Sequence, residues 1–168
     1  MQETPQQYTT RILGYQEGKK PLEVQRVTAK KIESLIKGIP KKKLMARPEP
    51  MKWSVGEILA HLADTELVAG FRLRLILGEN GITIQAFDQN IWAENFNYRQ
   101  RDPKKSLEVF RILRENNLAL LASLPKSMWE NFGMHTERGK ETVTRMTEMF
   151  AGHDLNHLAQ IERIVKRK

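Results

Sequence analysis

The sequence contains no cysteine. That excludes a disulfide framework and a thiolate metal site, and it requires any catalytic thiol to arrive with a ligand. Long uncharged apolar runs are also missing, because the richest stretch is interrupted by Arg72 and Arg74, whereas a membrane-spanning helix needs about 20 consecutive apolar residues. Met1-Gln2-Glu3 shows no basic stretch leading into an apolar run, so no secretory signal is read and a cytoplasmic location is expected. Alternating segments long enough for a strand, internal repeats and low-complexity tracts are absent too, which leaves helices as the expected framework.

Acidic residues are outnumbered, giving a formal net charge of +8 with basic clusters at Lys41-Lys42-Lys43 and Lys166-Arg167-Lys168. Such a surplus favours anionic partners. No aromatic residues interleave with these clusters as stacking platforms would, so nucleic acid is not the expected partner. Both clusters fall where loops or chain ends are expected, and a basic last turn complements a helix dipole.

A length of 168 residues suits one domain spanning 1–168 with a sizeable core. Four segments carry helix periodicity between recognisable start and stop residues. The first runs from about Pro21 to Lys37, before Gly38 and Pro40. The second opens with Ser54-Val55-Gly56-Glu57, which reads as a capping box preceded by Trp53 as a hydrophobic staple, and continues to about Leu77. The third follows Asp102-Pro103 and reaches about Ser123, and the fourth runs from about Glu141 almost to the end. Four helices of this length predict an all-α four-helix bundle. Between the second and third lies a long loop, Glu79 to Arg101, with an aromatic cluster of Phe87, Trp92, Phe96 and Tyr98. A loop of that length either shapes a binding site or caps the bundle.

In the fourth segment Val143, Met146, Phe150, Ile161 and Ile164 form a core stripe, and His153 and His157 fill its gap. Histidines four apart share one helical face and can meet one ion. His61 sits at the border of the second helix's stripe and supplies a third imidazole. Three neutral imidazoles suit zinc, nickel, copper or ferrous iron rather than magnesium or calcium, and they leave a position open for water or substrate, the mark of a catalytic site. Glu57 and Asp64 lie within a turn of His61 and could share its face, although Glu57 has a competing role in the cap and Asp64 or Asp154 could simply be solvated. His135 is expected to be an exposed loop histidine.

The segments Trp53-Ser54-Val55-Gly56-Glu57-Ile58-Leu59-Ala60-His61-Leu62-Ala63-Asp64-Thr65-Glu66 and Ala151-Gly152-His153-Asp154-Leu155-Asn156-His157-Leu158-Ala159-Gln160-Ile161 resemble the paired signature of the DinB superfamily, the group of DinB-like and YfiT-like proteins. Phe87-Asp88-Gln89-Asn90-Ile91-Trp92 and the stretch from Gly133-Met134-His135 to Gly139 resemble further parts of its pattern. The resemblance implies a four-helix bundle, often a homodimer, with a metal held at the positions of His61, His153 and His157. It also makes Asp88 a possible pocket residue by analogy.

Relatives of this kind include metal-dependent thiol transferases and isomerases using low-molecular-weight thiols, and others proposed as metal-dependent hydrolases. The leading expectation is a thiol S-transferase acting on a small-molecule substrate, with a divalent transition metal, zinc or nickel before iron, favouring the thiolate near neutrality. A hydrolase whose metal-bound water has a pKa near 7 would use the same ligands and require a positioned general base. A non-enzymatic stress-related protein with a structural metal is the third reading.

Overall fold

Each long helix begins where its sequence offers a start signal, a capping side chain or a proline. In the computed structural model, which describes residues 3–167, α2 (Pro21–Ile36) starts on a proline and α4 (Val55–Gly78) on a complete capping box. Ser54 Oγ accepts from the Glu57 amide at 3.2 Å while Glu57 Oε2 accepts from the Ser54 amide at 2.9 Å. In α6 (Pro103–Ser123) the Asp102 carboxylate accepts from two amides, and in α7 (Val143–Lys166) Thr142 accepts from Arg145. Met1 and Gln2, read for a leader, and Lys168, which closes the last basic cluster, lie outside the described residues. Among the described residues no helix is long and apolar enough to cross a membrane.

Two helices were not expected from periodicity. Thr4 caps α1 (Pro5–Gln16) in a box with Gln7, and Lys41–Met45 forms the short α3 where a basic loop was expected. The long loop also has structure of its own: β1 (Thr83–Ile84), α5 (Gln89–Asn95) and a 3-10 turn at Tyr98–Gln100. β1 pairs in parallel with β2 (Phe132–His135), which pairs antiparallel with β3 (Gly139–Thr142). These strands correct the expectation of helices and loops alone, and α7 starts at Val143 because Glu141 belongs to β3. With two to four residues each, they are too short to show alternation in sequence. Gly133 makes room within the sheet and against the bundle, since a Cβ there would lie 2.2 Å from the Ile84 side chain of β1 and 3.2 Å from that of Ile76 in α4.

Helix directions follow from which residues meet. Gly56 lies against Pro103, Glu66 against Arg114 and Gly70 against Asn117, so α4 and α6 run parallel. Gln25 bonds the Thr147 carbonyl while Ile32 shares a cluster with Ile161, so α2 and α7 are parallel too. Leu73 and Ile76 cluster with Val143 and Met146, and Ile58 with Ile161, which makes α4 antiparallel to α7. The order is therefore up-down-down-up, and the Glu79–Arg101 crossover returns the chain along the bundle to start α6 beside α4. α1 lies along α7, where Gly152 permits the approach: a Cβ on it would come within 2.0 Å of the Ile12 carbonyl oxygen.

Two apolar clusters fill the ends of the bundle. One gathers Ile32, Ile58, Leu62, Phe110 and Ile161, the other Leu73, Ile76, Leu121, Val143 and Met146. On α4 and α7 the positions between them are buried and polar: His61, Glu66, His153, Asp154 and His157.

Candidate metal centre

His61 projects from the second turn of α4 and His153 and His157 from the middle of α7, and the crossing of these antiparallel helices brings the three rings together. Their exposures are 2%, 7% and 6%. The Nε2 atoms converge: His153 Nε2 lies 3.0 Å from that of His61 and 3.1 Å from that of His157. One proton cannot serve both contacts, because a neutral ring nitrogen either donates or accepts. Three buried nitrogens facing one point are satisfied together by a cation, and they form a group able to hold a metal ion.

Burial drives the His61 and His153 imidazoles well below the usual histidine range, and neighbouring imidazoles add to the effect. Burial also pushes His157 down to about 4, against the opposing hydrogen bond from Gln160. All three are therefore neutral at physiological pH, the form that coordinates transition metals. Gln160 Oε1 lies 2.9 Å from His157 Nδ1, where it accepts that proton and leaves the Nε2 lone pair facing inward. Thr65 Oγ1 stands 3.5 Å from His61 Nδ1, and the Trp53 ring centre is 5.0 Å from that of His61. Trp53 thus closes one wall of the site as well as packing against the core cluster that contains Ile58.

The carboxylates near the cluster are engaged elsewhere. Glu57 closes the helix cap and binds Arg47 at 2.5 Å. Asp64 accepts from Tyr98 Oη at 2.8 Å and from Arg101 at 2.7 Å, tying the crossover to α4. Asp88 caps α5 through the Asn90 and Ile91 amides at 2.7 and 3.2 Å.

Two expectations need correction. Asp154 is not solvated: it is 1% exposed and bound to Arg114 at 2.5 and 3.0 Å. His135 is not an exposed loop residue: it is 3% exposed in β2, its Nδ1 accepts from the Glu137 amide at 3.2 Å, and its Nε2 has no partner among the described residues. Sequence reasoning also missed Gln160, Thr65 and Asn156 around the cluster. The signal was available for the first two, since Gln160 is three residues after His157 and Thr65 four after His61.

A family model described as the DinB superfamily matches residues 26–161. The chain belongs to the DinB superfamily. A candidate metal-dependent hydrolase of Oceanobacillus iheyensis is 31% identical over 116 residues, covering 69% of this chain and 67% of the relative. YfiT of Bacillus subtilis, also named a candidate metal-dependent hydrolase, is 27% identical over 117 residues, covering 68% of this chain and 65% of its own length. The solved YfiT structure superposes with a TM-score of 0.81 at 22% identity over 88% of this chain and 85% of that one. It is described as having an unusual four-helix bundle topology. The alignments with these curated DinB relatives span about two thirds of their length.

Proposed function

We propose that this DinB-superfamily chain, acting as one unit over residues 1–168, is a metal-dependent thiol S-transferase whose His61, His153 and His157 hold one divalent transition metal, zinc or nickel before iron. The observation that carries the choice of reaction is the occupation of the carboxylates. Among the described residues Glu57, Asp64, Glu66 and Asp154 are each paired to an arginine, and no carboxylate joins the three imidazoles. A metal-bound water of pKa near 7 ionises without help, but hydrolysis also calls for a group that carries its proton on to the leaving group. A thiol of pKa near 8.5 has only to lose its proton to solvent.

A divalent ion at these nitrogens supplies a Lewis acid that favours the ionised form of whichever nucleophile reaches it. The chain's own residues do the rest. Gln160 fixes the His157 tautomer, Trp53 covers the His61 ring, and the buried walls lower the dielectric around the developing charge. In the transfer the new bond joins the thiol sulfur to an electrophilic carbon, the bond to the leaving group breaks with its electron pair, and the thiol proton passes to solvent.

Hydrolysis is the second reading, favoured by the names of the relatives. The test begins with elemental analysis of untagged protein, native and His153→Ala, prepared without added metal. Native protein is expected to carry about one zinc or nickel per chain, and the variant to lose it while remaining helical, because the bundle is formed by the two apolar clusters. Thiol loss and electrophile consumption are then followed together. Turnover that proceeds without thiol rejects the transferase in favour of the hydrolase.

A further inference from the structure

A cleft of about 490 Å³ opens between α1, the Pro48–Trp53 segment and the C-terminal half of α7, a size within the usual range for small-molecule sites. Of the histidine cluster His157 lines it, beside Asn156 and Gln160, and Trp53, Ile58 and Ile164 give it an apolar side. Its rim carries four cations, Arg11, Lys52, Arg163 and Arg167, against one carboxylate, Glu49. Two of the four are engaged: Arg167 with Glu49 at 3.1 Å and Arg11 with Glu3 at 2.8 Å. Among the described residues neither Arg163 nor Lys52 has an ion-pair partner, and the side-chain bond that Arg163 makes, Nε to the Ala159 carbonyl, leaves both terminal nitrogens for a ligand.

A second donor lies deeper. Asn156 is buried and lines the cleft, and its Oδ1 accepts from Arg11 at 3.2 Å, with no bond from its amide nitrogen among the described residues. The basic end of α7 can be ascribed to the helix dipole. Lys52 and Arg11 cannot, since they come from other elements and converge on the same opening.

We propose that this cleft binds an elongated small molecule with an apolar middle, its reactive end at the histidine cluster and its anionic end, a carboxylate or a phosphate, on Arg163 and Lys52. The proposal rests on the metal-centre reading for its reactive end alone. The spacing follows from the helix: Arg163 is six residues beyond His157, about 9 Å along the axis at 1.5 Å per residue. The ligand's acid group therefore stands well away from the reacting atoms, where it contributes binding and orientation rather than chemistry.

The experiment is isothermal titration of the metal-loaded full chain with mercaptooctanoate and with mercaptooctanol, its uncharged counterpart. The acid is expected to bind about tenfold tighter, equivalent to about 1.4 kcal/mol. In Arg163→Gln/Lys52→Gln, two exposed positions, the advantage falls below about threefold while the alcohol binds as before. Equal affinity of the two probes for native protein, or a preference that survives the double variant, overturns the anion site. If native protein takes up no zinc or nickel, the metal reading fails alone, and octanoate against octanol on the same protein still decides. A preference abolished by the double variant supports the site, and no preference removes it. Mercaptooctylphosphonate tells the two headgroups apart: tighter binding than the carboxylate supports a phosphate ligand, weaker binding a carboxylate.

Discussion

The orientation of His157 depends on an uncharged side chain. With Gln160 accepting from Nδ1, the ring presents Nε2 to the point shared with His61 and His153. Replacement by Leu frees the ring to rotate and to exchange tautomers. Gln160→Leu is expected to weaken zinc or nickel binding by about 10- to 100-fold with unchanged helical circular dichroism, measured by competition with a chromogenic chelator. His135 tests burial of a different kind. Desolvation, with Arg138 and Arg72 nearby, pushes it down to about 4, below an unfolded value of about 6.5. Between these values the unfolded chain binds the extra proton, so the contribution is complete above about pH 6.5 and is lost as pH falls toward 4. Urea unfolding of His135→Gln should show an acid limb shallower than that of native protein by up to about 1.4 kcal/mol per pH unit, and parallel limbs would contradict the buried position. His153 and His157 were legible because helical spacing puts both on an inward face, whereas His61, at the border of its stripe, is brought to them by the crossing of α4 and α7. His135 was not legible, because its burial is decided by pairing with Ile84, about fifty residues away in sequence.

At the scale of elements, the caps carried most of what the sequence disclosed. Ser54, Asp102 and Pro103 mark helix starts at the residues where the structure has them. The capping box Thr4-Pro5-Gln6-Gln7 has the same chemistry, but α1 buries only Ile12, so no apolar stripe drew attention to it. Its place is determined by a residue on another helix. In Gly152→Ala the new methyl would meet the Ile12 backbone carbonyl, which cannot rotate away as a side chain would. α1 is expected to shift off α7, with a loss of about 1–3 kcal/mol and faster tryptic cleavage at Arg11 and Lys19. Unchanged proteolysis would show that the contact tolerates a methyl group. The strands and α5 stayed hidden for a simpler reason: none has more than seven residues, too few for a period to declare itself.

Across the whole molecule, Arg114 joins three helices to its own. From α6 it donates to the Gln25 carbonyl of α2 at 3.0 Å, to Glu66 of α4 at 2.8 Å and to Asp154 of α7 at 2.5 Å. Asn117 adds a bond to Glu66 at 2.8 Å. Arg114→Leu would leave two buried carboxylates without their cation, and a loss of about 3–5 kcal/mol in denaturant unfolding is expected. A smaller effect would mean that water reaches the layer. Nothing in the linear pattern pairs these residues, since an isolated Arg, Glu or Asp on a helix reads as solvated until the neighbouring helices are in place. The four long helices and their bundle could be read from periodicity and caps, whereas the up-down-down-up order required knowing which faces meet.

That order has a consequence for assembly. Because α4 and α6 are parallel, the Glu79–Arg101 crossover divides the imidazole set, with His61 before it and His153 and His157 after it. A nascent chain halted at the crossover holds one of the imidazoles, and the remainder alone holds two. The three-nitrogen set exists only once the halves have closed on each other, so metal uptake at the proposed site would be a sign of completed tertiary structure and not of helix formation.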